Sequence, residues 1–113
     1  MIHVGIIGCG YWGGNYVRVF SELPDCQLPA VCDKDGERLA RLSHRFHSIR
    51  MVQDLHDLLS DPLITAGVVS TPSSTHYEVV KQCLLAGKHV LAEKPLSLTV
   101  AEGQDLVDLA KTS

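Results

Sequence analysis

The chain has 113 residues and a mass of 12.3 kDa, is 45% hydrophobic and 20% charged, and carries 10 Lys and Arg against 13 Asp and Glu for a formal net charge of −3. A chain of this size hides roughly two thirds of its unfolded surface on folding, enough for one soluble core and too little for a second substrate-binding domain of similar size. With a pI near 6.0 and no cluster of Lys and Arg, the composition argues against a nucleic-acid partner.

Short apolar runs alternate with helical spacing along the chain, the pattern of parallel strands joined by covering helices. Ile2 to Ile7 is a near-continuous apolar run, as expected of a central strand buried on both faces. Trp12, Tyr16, Val19, Phe20 and Leu23 then fall on one helical face until Pro24 ends it. The second strand is expected over Leu28 to Cys32, starting late because Pro29 cannot donate to a ladder. Asp35 is placed to cap a helix with Leu39, Leu42 and Phe46 inward, and a short third strand follows around Arg50 to Val52. Asp54 caps a further short helix presenting Leu55, Leu58 and Leu59, and Ile64 to Ser70 gives the fourth strand. Thr75 and Glu78 form a capping-box pattern opening a helix that ends at Gly87, and His89 to Ala92 is the fifth strand. Thr99 and Glu102 repeat the pattern before a last helix, to about Lys111, with Leu106, Val107 and Ala110 inward.

No stretch reaches the roughly 20 apolar residues of a membrane span, and Met1 to Ile7 lacks the basic region of a signal peptide. The four cysteines, Cys9, Cys26, Cys32 and Cys83, have neither C-x-x-C nor zinc-finger spacing and read as buried thiols in a reducing cytoplasm. His44 and His47, three apart on a helix, have no third ligand beside them, so no metal site is expected.

The sharpest motif is Gly8-Cys9-Gly10-Tyr11-Trp12-Gly13, a G-x-G-x-x-G that follows a strand and opens a helix. Gly8 permits the tight turn, Gly10 lets backbone approach a pyrophosphate, Gly13 lets the helix pack on the strand, and the helix start turns free N–H groups toward the phosphates. Asp33 ends the second strand 20 residues after Gly13, where a carboxylate accepts hydrogen bonds from adenosine ribose hydroxyls. Its charge favours NAD over NADP, and Lys34 beside it weakens that exclusion. Two further segments, Ser70-Thr71-Pro72-Ser73-Ser74-Thr75-His76 and Glu93-Lys94-Pro95, leave the fourth and fifth strands at the same sheet edge. The expected fold is a doubly wound parallel α/β sheet of the Rossmann type, about five strands in the order 3-2-1-4-5.

Three stretches carry a resemblance: the glycine loop with Asn15 and Arg18 after it, Ser70-Thr71-Pro72 with His76, and Ala86-Gly87-Lys88-His89-Val90-Leu91-Ala92-Glu93-Lys94-Pro95. Together they resemble the N-terminal nucleotide-binding domain of the glucose-fructose oxidoreductase / inositol dehydrogenase / rhizopine catabolism (Gfo/Idh/MocA) family, over nearly the whole chain. The resemblance implies an NAD(P)-dependent oxidoreductase that moves a hydride to or from a carbinol carbon, usually of a sugar, inositol or sugar nucleotide. It implies that Lys94 sits beside the nicotinamide and the reacting hydroxyl as orienting group or acid/base, with Pro95 fixing its direction. Tyr11 and Trp12 belong to the implied coenzyme site. Glu93 and His76 are expected toward the nicotinamide, Thr71 and Pro72 toward the ribose and diphosphate, and Ser70 is expected in the coenzyme site.

Full members of the family continue into a sixth strand and a larger α/β domain that supplies the substrate pocket and the oligomer interface. Residues 1–113 are therefore expected to be the coenzyme-binding domain of such an enzyme, or a truncated product inactive alone, with association through the fifth-strand edge at Val90 and Leu91. Two other readings remain open on sequence: a non-catalytic NAD(H)-binding module, and a methyltransferase-like binder of S-adenosylmethionine. The G-x-G-x-x-G spacing and the Glu-Lys-Pro turn count against the latter.

Overall fold

The computed structural model describes residues 2–92 and 99–112. Five parallel strands, β1 (Ile2–Ile7), β2 (Cys26–Cys32), β3 (Arg50–Val52), β4 (Ala66–Val69) and β5 (His89–Ala92), form one sheet in the order β3-β2-β1-β4-β5. Helices α1 (Tyr11–Glu22), α2 (Gly36–Arg45), α3 (Leu55–Leu59), α4 (His76–Leu85) and α5 (Val100–Thr112) connect or follow them. The strand order expected from the sequence is the one observed. Its consequence is a switch point between β1 and β4, where successive connections leave in opposite directions and a crevice opens at the carboxyl ends of the strands.

The side-chain alternation of the strands divides the interior in two. Val4, Ile6, Val31 and Val68 pack with Val17 of α1 and Leu39 and Leu42 of α2. Ile7, Cys32, Val52 and Val69 face the other way, toward Leu58 of α3, Val80, Cys83 and Leu84 of α4, and Leu106 of α5. Gly5 belongs to this second face, and a Cβ there would lie 2.8 Å from Leu58 Cδ2, so the missing side chain is what admits the fully buried leucine.

Several expectations are corrected. β2 starts at Cys26, two residues earlier than expected, and accommodates Pro29 by a register shift: His3 pairs with Gln27, Gly5 with Ala30, so β2 bulges where Pro29 lacks an N–H. β4 is shorter than expected, Ala66–Val69, while Thr65 N–H still bonds His3 O before it and Ser70 N–H bonds Ile7 O after it. Among the described side chains of α1 the completely buried one is Val17, while Val19, and Leu23 just past the helix, are exposed, so the inward face there runs through Tyr16, Val17 and Phe20. In α5 Leu106 is buried but Val107 and Ala110 are exposed, and Leu109 packs on the core instead. His47 lies beyond the end of α2 and its Nε2 meets His44 O at 2.8 Å.

The caps are mixed. Asp35 accepts from the N–H groups of Glu37 and Arg38, and Asp54 from that of His56, as the sequence suggested. Thr99 Oγ1 likewise accepts from Glu102 N–H. Thr75 does not cap: a 3-10 turn at Ser73–Thr75 leads into α4, and its hydroxyl is engaged by Thr71 and Pro72. α4 closes with Gly87 at φ +78 and bonds from Gly87 N–H to Leu84 O and Lys88 N–H to Cys83 O. Among the described residues no helix is long and apolar enough to cross a membrane.

Candidate coenzyme crevice

The crevice is built from four strand exits tied to one another. Gly8 N–H donates to Cys32 O at 2.8 Å, Ser70 N–H to Ile7 O at 2.8 Å and Asp33 N–H to Val52 O at 3.1 Å. Gly8 has φ +88, and a Cβ on it would stand 2.8 Å from the backbone of Ser70 and Thr71. Both the turn and the close approach of the neighbouring loop therefore require glycine. Gly10 caps α1 with no side chain of its own, and the nearest atom to a Cβ there would be Arg38 Nη1 at 3.7 Å. The first N–H groups of the 12-residue α1 begin at this point, with Tyr11, Trp12 and Gly13 forming its opening turn.

The resulting space is about 560 Å³ and is lined by Gly8, Gly10, Asp33, Lys34, Ser70, Thr71 and Pro72 of the expected set. Thr75 lines it from the expected Ser70–His76 segment, and Arg38, Asp35, Gln53, Leu55 and Val79 also line it and were not expected. Arg38 is the main omission. Its Nη1 lies 3.8 Å from Asp33 Oδ2 and its Nε 3.6 Å from Asp35 Oδ2, so it spans the two carboxylates at the mouth of the crevice. The available signal was its place three residues after the Asp35 cap, which puts both on one side of the first turn of α2.

Asp33 is only 7% exposed. Its Oδ2 accepts from Cys9 N–H at 2.8 Å and from the Cys9 thiol at 3.2 Å, and its Oδ1 from Asp35 N–H at 2.7 Å. Burial acts to raise its pKa, but these hydrogen bonds and the Arg38 guanidinium outweigh it and hold the carboxyl below its ordinary value. The Cys9 thiol moves the opposite way, pushed up to about 12 by burial and then by Asp33.

His76 is 1% exposed and does not line the crevice. Its Nε2 lies 2.8 Å from Thr71 O, and Thr75 Oγ1 donates to Pro72 O and lies 2.8 Å from Thr71 Oγ1, so the β4–α4 loop is knitted around Thr71. Glu93, Lys94 and Pro95 lie outside the described residues. Among the described residues no group of three or more His, Cys, Asp or Glu could hold a metal ion.

The family model for the oxidoreductase family, NAD-binding Rossmann fold (Gfo/Idh/MocA), matches residues 2–113. The chain belongs to this family. A curated relative, myo-inositol 2-dehydrogenase of Thermotoga maritima, is 32% identical over 97% of this chain and 33% of its own length. The structure of GenD2 from gentamicin A biosynthesis in complex with NAD superposes with a TM-score of 0.93 at 32% identity, over 98% of this chain and 32% of that one. KijD10, a 3-ketoreductase from Actinomadura kijaniata in complex with TDP-benzene and NADP, gives 0.90 at 30% identity, over 98% and 35%. The chain thus spans about a third of the length of these relatives.

Proposed function

We propose that residues 1–113 form the coenzyme-binding domain of an NAD(P)-dependent oxidoreductase that transfers a hydride between nicotinamide and a hydroxyl-bearing carbon of a sugar, polyol or sugar nucleotide. The observation that carries the proposal is the juxtaposition of the glycine turn with Asp33 across one crevice at the β1/β4 switch point. The residues present fit an adenine dinucleotide: a Cβ-free approach at Gly8 and Gly10, a helix start for the diphosphate, and a carboxylate kept ionised for the ribose. When bound, the nicotinamide supplies or accepts the hydride. In this reading Thr71 and Pro72 hold the diphosphate and ribose region beside Ser70, Lys94 orients the substrate oxygen and exchanges its proton, Pro95 fixes its direction, and Glu93 approaches the nicotinamide. Tyr11, Trp12 and Gly13 bring the start of α1 to the phosphates, and His76 acts from behind the crevice by holding Thr71.

NAD is the favoured coenzyme because the Asp33 carboxylate repels a 2′-phosphate, while Lys34 and Arg38 temper that repulsion. The four free thiols suit a reducing cytoplasm. Leu91, 55% exposed on β5, supports self-association through that edge.

Calorimetric titration with NAD, NADP and S-adenosylmethionine tests the reading. NAD is expected to bind most tightly and NADP more weakly; heats from S-adenosylmethionine alone, or from none of the three, overturn it. In the longer protein Lys94→Ala is expected to abolish hydride transfer while leaving NAD affinity nearly intact; turnover surviving that change removes Lys94 from the chemistry, and an extended wild-type protein that oxidises no polyol or sugar leaves a binding module. Light scattering of the chain at high concentration checks association, and a monomer there disposes of the edge contact.

A further inference from the structure

We propose that Cys9, the residue between the first two motif glycines, is a positioning residue for coenzyme recognition: its thiol and backbone N–H together clamp Asp33 Oδ2, so that Oδ1 is the oxygen offered to an adenosine ribose hydroxyl. The proposal rests on the coenzyme reading above and specifies how its ribose contact is made.

A carboxylate has about four acceptor positions, two on each oxygen. Oδ2 receives Cys9 N–H at 2.8 Å and Cys9 Sγ–H at 3.2 Å, with Arg38 Nη1 a further 3.8 Å away, so both of its positions are taken. Oδ1 receives Asp35 N–H at 2.7 Å and keeps one position for a hydroxyl. The clamp thereby converts a group with two equivalent oxygens into one with a single presented acceptor.

The thiol is suited to this role because it is a donor across the whole neutral range. Cys9 is 6% exposed, and burial together with Asp33 keeps the sulfur protonated, its pKa pushed up to about 12. Without the thiol, Oδ2 is anchored by one backbone N–H, and the carboxylate gains freedom about its last torsion. The groups facing Asp33 from the surrounding elements are Cys9 from the β1–α1 loop, Asp35 and Arg38 from the start of α2, and Cys32 and Lys34 flanking it in the chain. Of these, Cys9 and the Asp35 N–H favour the ionised form by hydrogen bonds and Arg38 by its charge, and removing the thiol or the guanidinium moves the carboxyl upward.

The experiment is NAD titration of the chain by calorimetry between about pH 4 and pH 8, for the wild type, Cys9→Ala, Cys9→Ser, Asp33→Asn and the double variant Cys9→Ala/Asp33→Asn, with thermal unfolding of each as a folding control. Cys9→Ala is expected to weaken NAD about three- to tenfold, in line with the loss of one hydrogen bond to a charged group, and to move the acid limb of binding to higher pH. Cys9→Ser, which restores a donor, is expected to return both readings toward the wild type. In the Asp33→Asn background the alanine change is expected to cost nothing further, because its effect passes through Asp33. Wild-type binding with Cys9→Ala unchanged in affinity and acid limb, or an equal loss in both backgrounds, overturns the clamp alone. A wild type that binds neither NAD nor NADP overturns the coenzyme reading and the clamp with it. If Cys9→Ala does not fold, the titration of the Asp33 carboxyl is followed by NMR in wild type and Cys9→Ser; a carboxyl held below its ordinary value in both supports the clamp, and one that titrates at or above the ordinary value in both overturns it.

Discussion

Gly8 and Asp33 show how narrowly single side chains define the crevice. A methyl group on Gly8 meets the Ser70–Thr71 backbone at 2.8 Å, and its φ of +88 is one that alanine resists. Gly8→Ala is therefore expected to destabilise the chain by about 2 kcal/mol or more, the cost of overpacking added to that of a strained backbone, read as a lowered urea midpoint. Asp33 introduces a pH dependence of definite sign. Its folded pKa lies below the unfolded one, so its contribution is fully present at neutral pH and is lost as pH falls through the folded value. Urea unfolding is expected to weaken more steeply below about pH 4 in the wild type than in Asp33→Asn; equal slopes would show that the carboxylate is not stabilised in the fold. The sequence makes both residues visible, Gly8 through the motif and Asp33 through its spacing. It does not make Cys9 visible as the partner of Asp33, because a contact 24 residues apart across a sheet leaves no trace in local periodicity.

At the scale of elements, the connections are tied by polar groups that pattern alone undervalues. Lys88, 9% exposed in the turn between α4 and β5, sends its Nζ to Asp61 O at 3.0 Å and Ile64 O at 2.6 Å. It replaces the missing donors of the α3–β4 connection. Lys88→Met keeps the stem but leaves two carbonyls without their ammonium, and is expected to cost about 1–3 kcal/mol, with faster amide exchange in residues 61–65. A loss of stability without local exchange changes would place the effect elsewhere. Strands and helices were legible because their apolar residues repeat at two or at three to four positions, and the Asp35 and Asp54 caps because an acidic residue directly precedes each helix. What escaped was the treatment of exceptions. Pro29 is absorbed inside β2 by a register shift, and Thr75 is diverted from capping by Thr71 and Pro72, choices set by the neighbouring strand and loop. The inward face of α5 is set by α4, whose Tyr77 and Lys81 engage Asp105, so Leu106 and Leu109 face the core in place of Val107 and Ala110.

Taken whole, the molecule places its thiols in graded shelter. Cys32 and Cys83 share the core beneath α3, α4 and α5, with thiol pKa values pushed by burial to about 11 and about 12, while Cys9 stands under α1 and Cys26 is only half-buried at the start of β2. Reaction with a thiol reagent at neutral pH is expected to modify Cys26 first, and the other three only as the fold opens. Mass spectrometry over time checks the order, and early labelling of Cys83 would mean that the core beneath α4 is loose. The lacing of the strand exits has a separate kinetic consequence. Because Ile7, Cys32 and Val52 already hold their neighbours through backbone bonds, the walls of the cleft stand in position before any visitor arrives. A rigid socket of this kind has little shape to acquire, so docking of the adenosine end should proceed in one step at a speed proportional to ligand concentration, without the plateau that a slow rearrangement imposes.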